Sequence, residues 1–274
     1  EFRRVLFRST SYQLSRQLTM RYSTSFSKSS ELFATRIRPH IFAIYGLVRI
    51  ADEIVDTYQG KKTATLLDAL EQETYAAIQL RYSTNPIVHA FAHTAAKYGI
   101  NKSIIAPFFE SMRMDLKKKR FNQKEYERYI YGSAEVIGLM CLRVFVEGNT
   151  HAYKKLEVGA KALGSAYQKV NFLRDMASDF SDRGRVYFPA VTYDAFSDTQ
   201  KQAIGTDIRH DFETARQYLS QLPKAARKAV RLSYTYYSEL LRILDHASVD
   251  TIKQRRLRVS AARKAALYIK KVAA

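Results

Sequence analysis

In the run IYGLVRIADEIVD (Ile44–Asp56), Tyr45, Arg49, Asp52 and Asp56 fall at spacings of four, three and four. On a helix this is one stripe. Two carboxylates four residues apart repel by roughly 0.2–0.5 kcal/mol on an isolated helix, and by more once the face is buried. A divalent cation offsets that repulsion: Mg²⁺ takes one or two carboxylates and fills its other positions with water and substrate phosphates. A second stripe follows in QKVNFLRDMASD (Gln168–Asp179), where Gln168, Asn171, Asp175 and Asp179 share a face and Arg174 lies beside them. One D-x-x-x-D pair is common on solvated helix faces. Two, each in apolar sequence with an adjacent arginine, read as opposite walls of a metal–diphosphate site, with acids holding Mg²⁺ (or Mn²⁺) and arginines taking the remaining phosphate oxygens.

The rest of the chain must position these walls. It has 274 residues, 46% hydrophobic, with only 10 Gly and 5 Pro to break helices. That composition points to an all-α domain with a substantial core. One cysteine, Cys141, allows no internal disulfide and suits a reducing, cytoplasmic setting. No run is long and apolar enough to predict a transmembrane helix. The net charge of +19 could suit nucleic acid, yet nucleic-acid binding explains neither aspartate stripe. Residues 1–9, EFRRVLFRS, read like a translated frame of a sequencing adapter. Without their three arginines and one glutamate the charge is +17, and the expected domain is residues 10–274.

Helical periodicity is expected from Tyr12 to about Met20, over 102–117, through Tyr126–Val146 as one long apolar helix, and over 207–222 and 224–247. Pro39 opens the first stripe's helix, and Asn85-Pro86 opens another. His89 and His93 lie four apart there without a third ligand, so they read as packing or surface residues rather than a metal pair. Gly132, Ser133, Ala134 and Gly138 thin the long apolar helix, for close packing or for a ligand. The tail KQRRLRVSAARKAALYIKK reads as one basic amphipathic helix suited to an anionic membrane surface.

Six blocks in order, YSTSF (Tyr22–Phe26), AIYGLVRIADEIVD (Ala43–Asp56), MRMDL (Met112–Leu116), YIYGSAEVIG (Tyr129–Gly138), NFLRDMASDFSDRGRVYFP (Asn171–Pro189) and RRLRVS (Arg255–Ser260), resemble the squalene/phytoene synthase family, its bacterial phytoene synthases in particular. The resemblance implies an isoprenoid-synthase helical bundle around a central apolar cavity. It implies head-to-head condensation of two prenyl diphosphates, here two geranylgeranyl diphosphates giving phytoene through prephytoene diphosphate. The alternative is a C30 squalene or dehydrosqualene synthase using farnesyl diphosphate; a non-catalytic assembly factor would not need four aspartates. By resemblance, Asp52, Asp56, Asn171, Asp175 and Asp179 hold metal, and Ser23, Ser25, Tyr45, Arg49, Gln168, Arg174, Arg185, Tyr237 and Arg256 meet diphosphate. Tyr131 is placed at the reaction centre, and Asp115 near the pocket or in a structural ion pair. Glu135 stands where the family usually has glycine. No Gly-rich dinucleotide fingerprint appears, which favours the phytoene reaction, as it needs no NADPH. Oligomeric state is not legible.

Overall fold

The computed structural model describes residues 2–22, 28–58 and 60–272, and among these the regular structure is helical, with only an isolated bridge between Arg120 and Val186. Helix α1 (Phe2–Tyr22) begins well before Tyr12. Helix α2 (Arg38–Asp56) has Pro39 in its first turn. It buries Ile41, Ile44, Leu47 and Ala51 against α1, α3 (Thr63–Leu80), α4 (Pro86–Tyr98), α5 (Lys102–Lys117) and α7 (Val136–Phe145). Ile41, Ala51 and Leu47 are fully inaccessible, and each large apolar side chain so buried is worth about 1.5–3 kcal/mol. The opposite stripe stays free for Tyr45, Arg49, Asp52 and Asp56. Asn85 caps α4 by accepting from the backbone N–H of Ile87 and Val88, and His89 and His93 pack on one another at 4.6 Å, as packing residues should.

The expected single helix over Tyr126–Val146 is interrupted. Asn122 and Glu125 form a capping box that starts α6 (Gln123–Ile130), then Tyr131–Glu135 widens to a π-helical turn before α7. The widened turn rests on two neighbours at backbone distance. A Cβ on Gly132 would lie 2.2 Å from the Pro107 carbonyl of α5, and one on Gly164 would lie 2.6 Å from the carbonyl of Ala134. Glycines there permit close packing, while Ser133, Ala134 and Gly138 also line the cavity.

Helix α8 (Thr150–Arg183), 34 residues long, packs on α7, the π turn, α9 (Asp198–Arg216), α10 (Lys224–His246) and α11 (Val249–Gln254). Helix α9 starts nine residues before the expected 207, because Ser197 and Gln200 form a capping box. The tail is not one helix: Arg255–Ser260 is irregular, and α12 (Ala261–Val272) then packs on α10. Two buried clusters result. One holds α2–α5, α7 and the start of α8; the other holds α6, the later turns of α8, residues 186–196, α9 and α10.

Candidate active site

A cavity of about 820 Å³ lies between α2, α5–α8 and the α9–α10 corner. Its mouth carries the charge and its depth is apolar. At the mouth, Tyr45, Arg49, Asp52 and Asp56 of α2 face Gln168, Asn171, Arg174, Asp175 and Asp179 of α8, with Tyr237 and Arg256 alongside. Both stripes therefore reach the same opening. Ser23 and Ser25 lie outside the described residues.

The arginines are already engaged with the acids. Arg49 pairs with Glu53 and lies 3.9 Å from Asp52, with its guanidinium over the Tyr22 ring. Its buried Nε has no hydrogen-bond partner among the described residues, leaving a donor for an anion. Arg174 pairs with Asp175, and Arg256 reaches the same carboxylate at 2.7 Å from the irregular segment that follows α11. Tyr237 donates to Asn171 Oδ1 at 3.4 Å, and Gln168 donates to Ser133 at 3.2 Å.

The walls are joined by the end of α8. Arg183 lies 3.3 Å from Asp179 on its own helix and 3.4 Å from Asp56 on α2. Gly184 then takes a left-handed conformation (φ 63°) that turns the chain back, where any other residue would be strained. Arg185 is thereby carried inward and buried. It donates to the backbone carbonyl of Asp115 at 2.7 Å and lies 3.7 Å from that residue's carboxylate and 3.5 Å from Asp56. Asp115 also accepts from Tyr129 at 2.6 Å and Tyr187 at 3.1 Å, and the Tyr187 ring stacks on Phe172 at 4.0 Å. Both readings of Asp115 thus hold: it lines the pocket and forms a buried ion pair. Arg185, expected at the diphosphate, is buried between Asp115 and Asp56, and Arg183 is the more exposed of the two. Its spacing of four from Asp179 was the available signal.

Tyr131 is not brought to the cavity. Its ring lies 5.9 Å from Lys161 Nζ, and the tyrosine of this segment that lines the pocket is Tyr129. Two residues along a helix is about 200° of rotation, so the two cannot share a face. Glu135 also turns away from the cavity, towards Lys161 and the ion cluster of Lys169, Asp207 and Asp211. Burial pushes its carboxyl up, opposed by Lys161.

Two acids, one on each wall, stay held against ionisation despite their arginine neighbours. Burial, with help from Asp56, Asp115 and Glu53 and against Arg49, pushes Asp52 up to about 7. Burial and then Asp175 push Asp179 up to about 7. Two carboxylates held against ionisation, on facing walls and with amide and phenol oxygens nearby, fit hard cations. Among the described residues no three acids, histidines or cysteines converge into a ready-made cage. The donor set suits a cation that takes one or two carboxylates per wall and shares its remaining positions with water and an anionic ligand.

The squalene/phytoene synthase family model matches residues 19–263. The chain is 28% identical to a phytoene synthase of Arthrospira platensis, covering 90% of this chain and 88% of that one. It is 29% identical to a 4,4'-diapophytoene synthase of Staphylococcus haemolyticus, over 68% of this chain and 65% of that one. Its fold superposes on a crystal structure of a dehydrosqualene synthase with a TM-score of 0.83, covering 97% of this chain and 96% of that chain at 21% identity. An aspartate-lined mouth on an apolar helical cavity and a family match spanning most of the chain agree: this prenyltransferase belongs to the squalene/phytoene synthase family.

Proposed function

We propose that the enzyme joins two geranylgeranyl diphosphates head to head, giving phytoene by way of prephytoene diphosphate. The observation that carries this reading is the meeting of the two aspartate stripes at the mouth of a deep apolar cavity. Asp52, Asp56, Asn171, Asp175 and Asp179 would hold Mg²⁺, which when bound supplies Lewis-acid pull on a diphosphate leaving group. Arg49, Arg174, Arg183 and Arg256 take up the charge that develops on the departing oxygens. Tyr45, Gln168 and Tyr237 line the same opening and orient the diphosphate. Inside, aromatic and aliphatic walls keep water from the allylic cation while the second substrate's double bond attacks it. Loss of a proton from that adduct closes the ring to the cyclopropyl diphosphate, which then ionises, rearranges and loses a second proton, so that two diphosphates and two protons are released in all. Tyr129, at the cavity wall with its hydroxyl donated to Asp115, takes the orienting place that the resemblance gave to Tyr131. No reductant enters this sequence.

Peripheral contact with an anionic membrane surface accompanies this reading, on the cytoplasmic side. On α12, Ala262, Ala265, Ala266 and Ile269 form an exposed apolar stripe, Ile269 being 65% exposed, flanked by Arg263 and Lys270. No helix among the described residues is long and apolar enough to cross a membrane. The relative that makes 4,4'-diapophytoene keeps the C30 reaction as the alternative. A product assay with Mg²⁺ and no NADPH decides: a C40 triene from geranylgeranyl diphosphate alone supports the proposal. A C30 product from farnesyl diphosphate alone moves the assignment to dehydrosqualene.

A further inference from the structure

Where α8 meets the α9–α10 corner, the cavity lining lies well away from the aspartates. Leu156 and Gly159 of α8, Leu219 and Leu222 of the α9–α10 corner and Ala229 of α10 surround this end, and Tyr218 lies among them. A Cβ on Gly159 would stand 2.6 Å from Cβ and Cγ of Tyr218 and 2.7 Å from its Cδ2. The tyrosine therefore lies flat on bare helix backbone, a contact that any side chain at 159 would forbid. Its own backbone is pinned: the Tyr218 N–H donates to Ala215 at 3.1 Å, and its carbonyl accepts from the Gln221 N–H at 3.0 Å. Gly159 precedes Asp175 by sixteen residues on α8, about 24 Å along the axis at 1.5 Å per residue. The diphosphate end of a substrate and this tyrosine thus bound the same channel from opposite ends.

We propose that Tyr218, seated on Gly159, is the stop that sets which prenyl chain length the cavity accepts. This rests on the prenyl diphosphate reading above. An apolar channel gains affinity with each methylene it buries until the chain meets a wall, so a fixed wall converts length into specificity. Tyr218 is half-buried and at a turn, so its replacement removes the wall without emptying the main core.

The test compares wild type, Tyr218→Ala, Tyr218→Leu and Tyr218→Phe, each with Mg²⁺. Turnover is measured on farnesyl, geranylgeranyl and geranylfarnesyl diphosphates, and binding on the corresponding unreactive thiodiphosphates. Tyr218→Ala should raise the ratio of longer to shorter substrate in kcat/KM at least tenfold, with Leu intermediate and Phe at the wild-type ratio. Inhibition by inorganic diphosphate, which reports the mouth alone, should stay within twofold. Ratios unchanged in Ala, or moved equally in Phe, overturn the proposal, as does an altered diphosphate constant. Folded wild type that binds none of the thiodiphosphates overturns the parent reading instead, and this inference with it.

Discussion

The two aspartate walls are built from the same pattern but carry their charge differently. Both stripes lie near helix C-termini, where the macrodipole disfavours acids. Helix α8 answers within its own end: Arg174 covers Asp175, and Arg183, in the last turn, meets Asp179. Helix α2 has no basic residue in its last turn, and Arg49 is drawn mainly to Glu53. Asp56 therefore borrows Arg183 and Arg185 from across the mouth, while Asp52 is left largely uncompensated. The α8 wall carries its own arginines and the α2 wall draws on them, yet burial pushes one acid on each wall, Asp52 and Asp179, up to about 7. Both walls therefore gain from an added cation, and Arg183, shared between Asp56 and Asp179, is the contact that an arriving metal–diphosphate would redistribute.

That contrast is sharpest in a pair of charge-removing variants. Asp52→Asn and Asp175→Asn should each lower kcat/KM at least about 10³-fold, since either removes a carboxylate from the proposed metal set. Their stabilities should move oppositely. Asp52→Asn relieves a half-buried charge that Asp56, Asp115 and Glu53 oppose, and should raise the Tm of the free protein. Asp175→Asn leaves Arg174 and Arg256 without their shared partner and should lower it. Steady-state assays and thermal melts check both, and a common sign of the Tm shift would break the comparison.

The anchor behind the walls comes next. Asp115→Asn removes the charge facing Arg185 while keeping a hydrogen-bonding group for Tyr129 and Tyr187. With both partners of the ion pair buried, a loss of about 3 kcal/mol in chemical denaturation is expected. Arg183→Ala cuts the direct link between Asp56 and Asp179 and should lower kcat/KM by about 10²-fold, with chain-length preference retained. Equal losses from Arg185→Ala and Arg183→Ala, without instability in the former, would show that Arg185 acts as a clamp rather than an anchor.

How much of this was legible in the sequence follows from how local each feature is. The stripes needed only helical spacing, and α2 and α8 obey it. The all-α fold followed from scarce Gly and Pro and long apolar periods. The resemblance gave Tyr131, which lies off the cavity lining because the segment's rotation about its axis, and its π turn, are fixed by packing on Pro107 and Gly164, which a residue-by-residue match does not report. The Asp115–Arg185 pair spans 70 residues and Arg183–Asp56 spans 127, so neither had a local signal. The chain-length wall was invisible for the same reason: Gly159 and Tyr218 meet only once α8 and the α9–α10 corner are packed. The break in the tail escaped because RRLRVS continues a helix-compatible pattern, whereas the irregular backbone brings Arg256 to Asp175.

The smallest effect is also the most direct reading of the uncompensated acids. Burial pushes Asp52 and Asp179 up to about 7 in the folded protein, above the ordinary carboxylate range near 4 that they regain on unfolding. Between these values the folded state binds more protons than the unfolded state, so stability falls as pH rises from about 4 to about 7 and levels off above. The Tm of metal-free protein should therefore drop across that window through these two groups, by a few degrees. Asp52→Asn and Asp179→Asn should each flatten the slope, and the double variant should flatten it most. Adding Mg²⁺ with inorganic diphosphate to wild type should restore Tm chiefly above pH 7, where both carboxylates are charged and able to bind it. A Tm that rises through the window in wild type and is unmoved by either asparagine would show that neither wall holds its acid against ionisation, and that the two walls differ only in which arginines they touch.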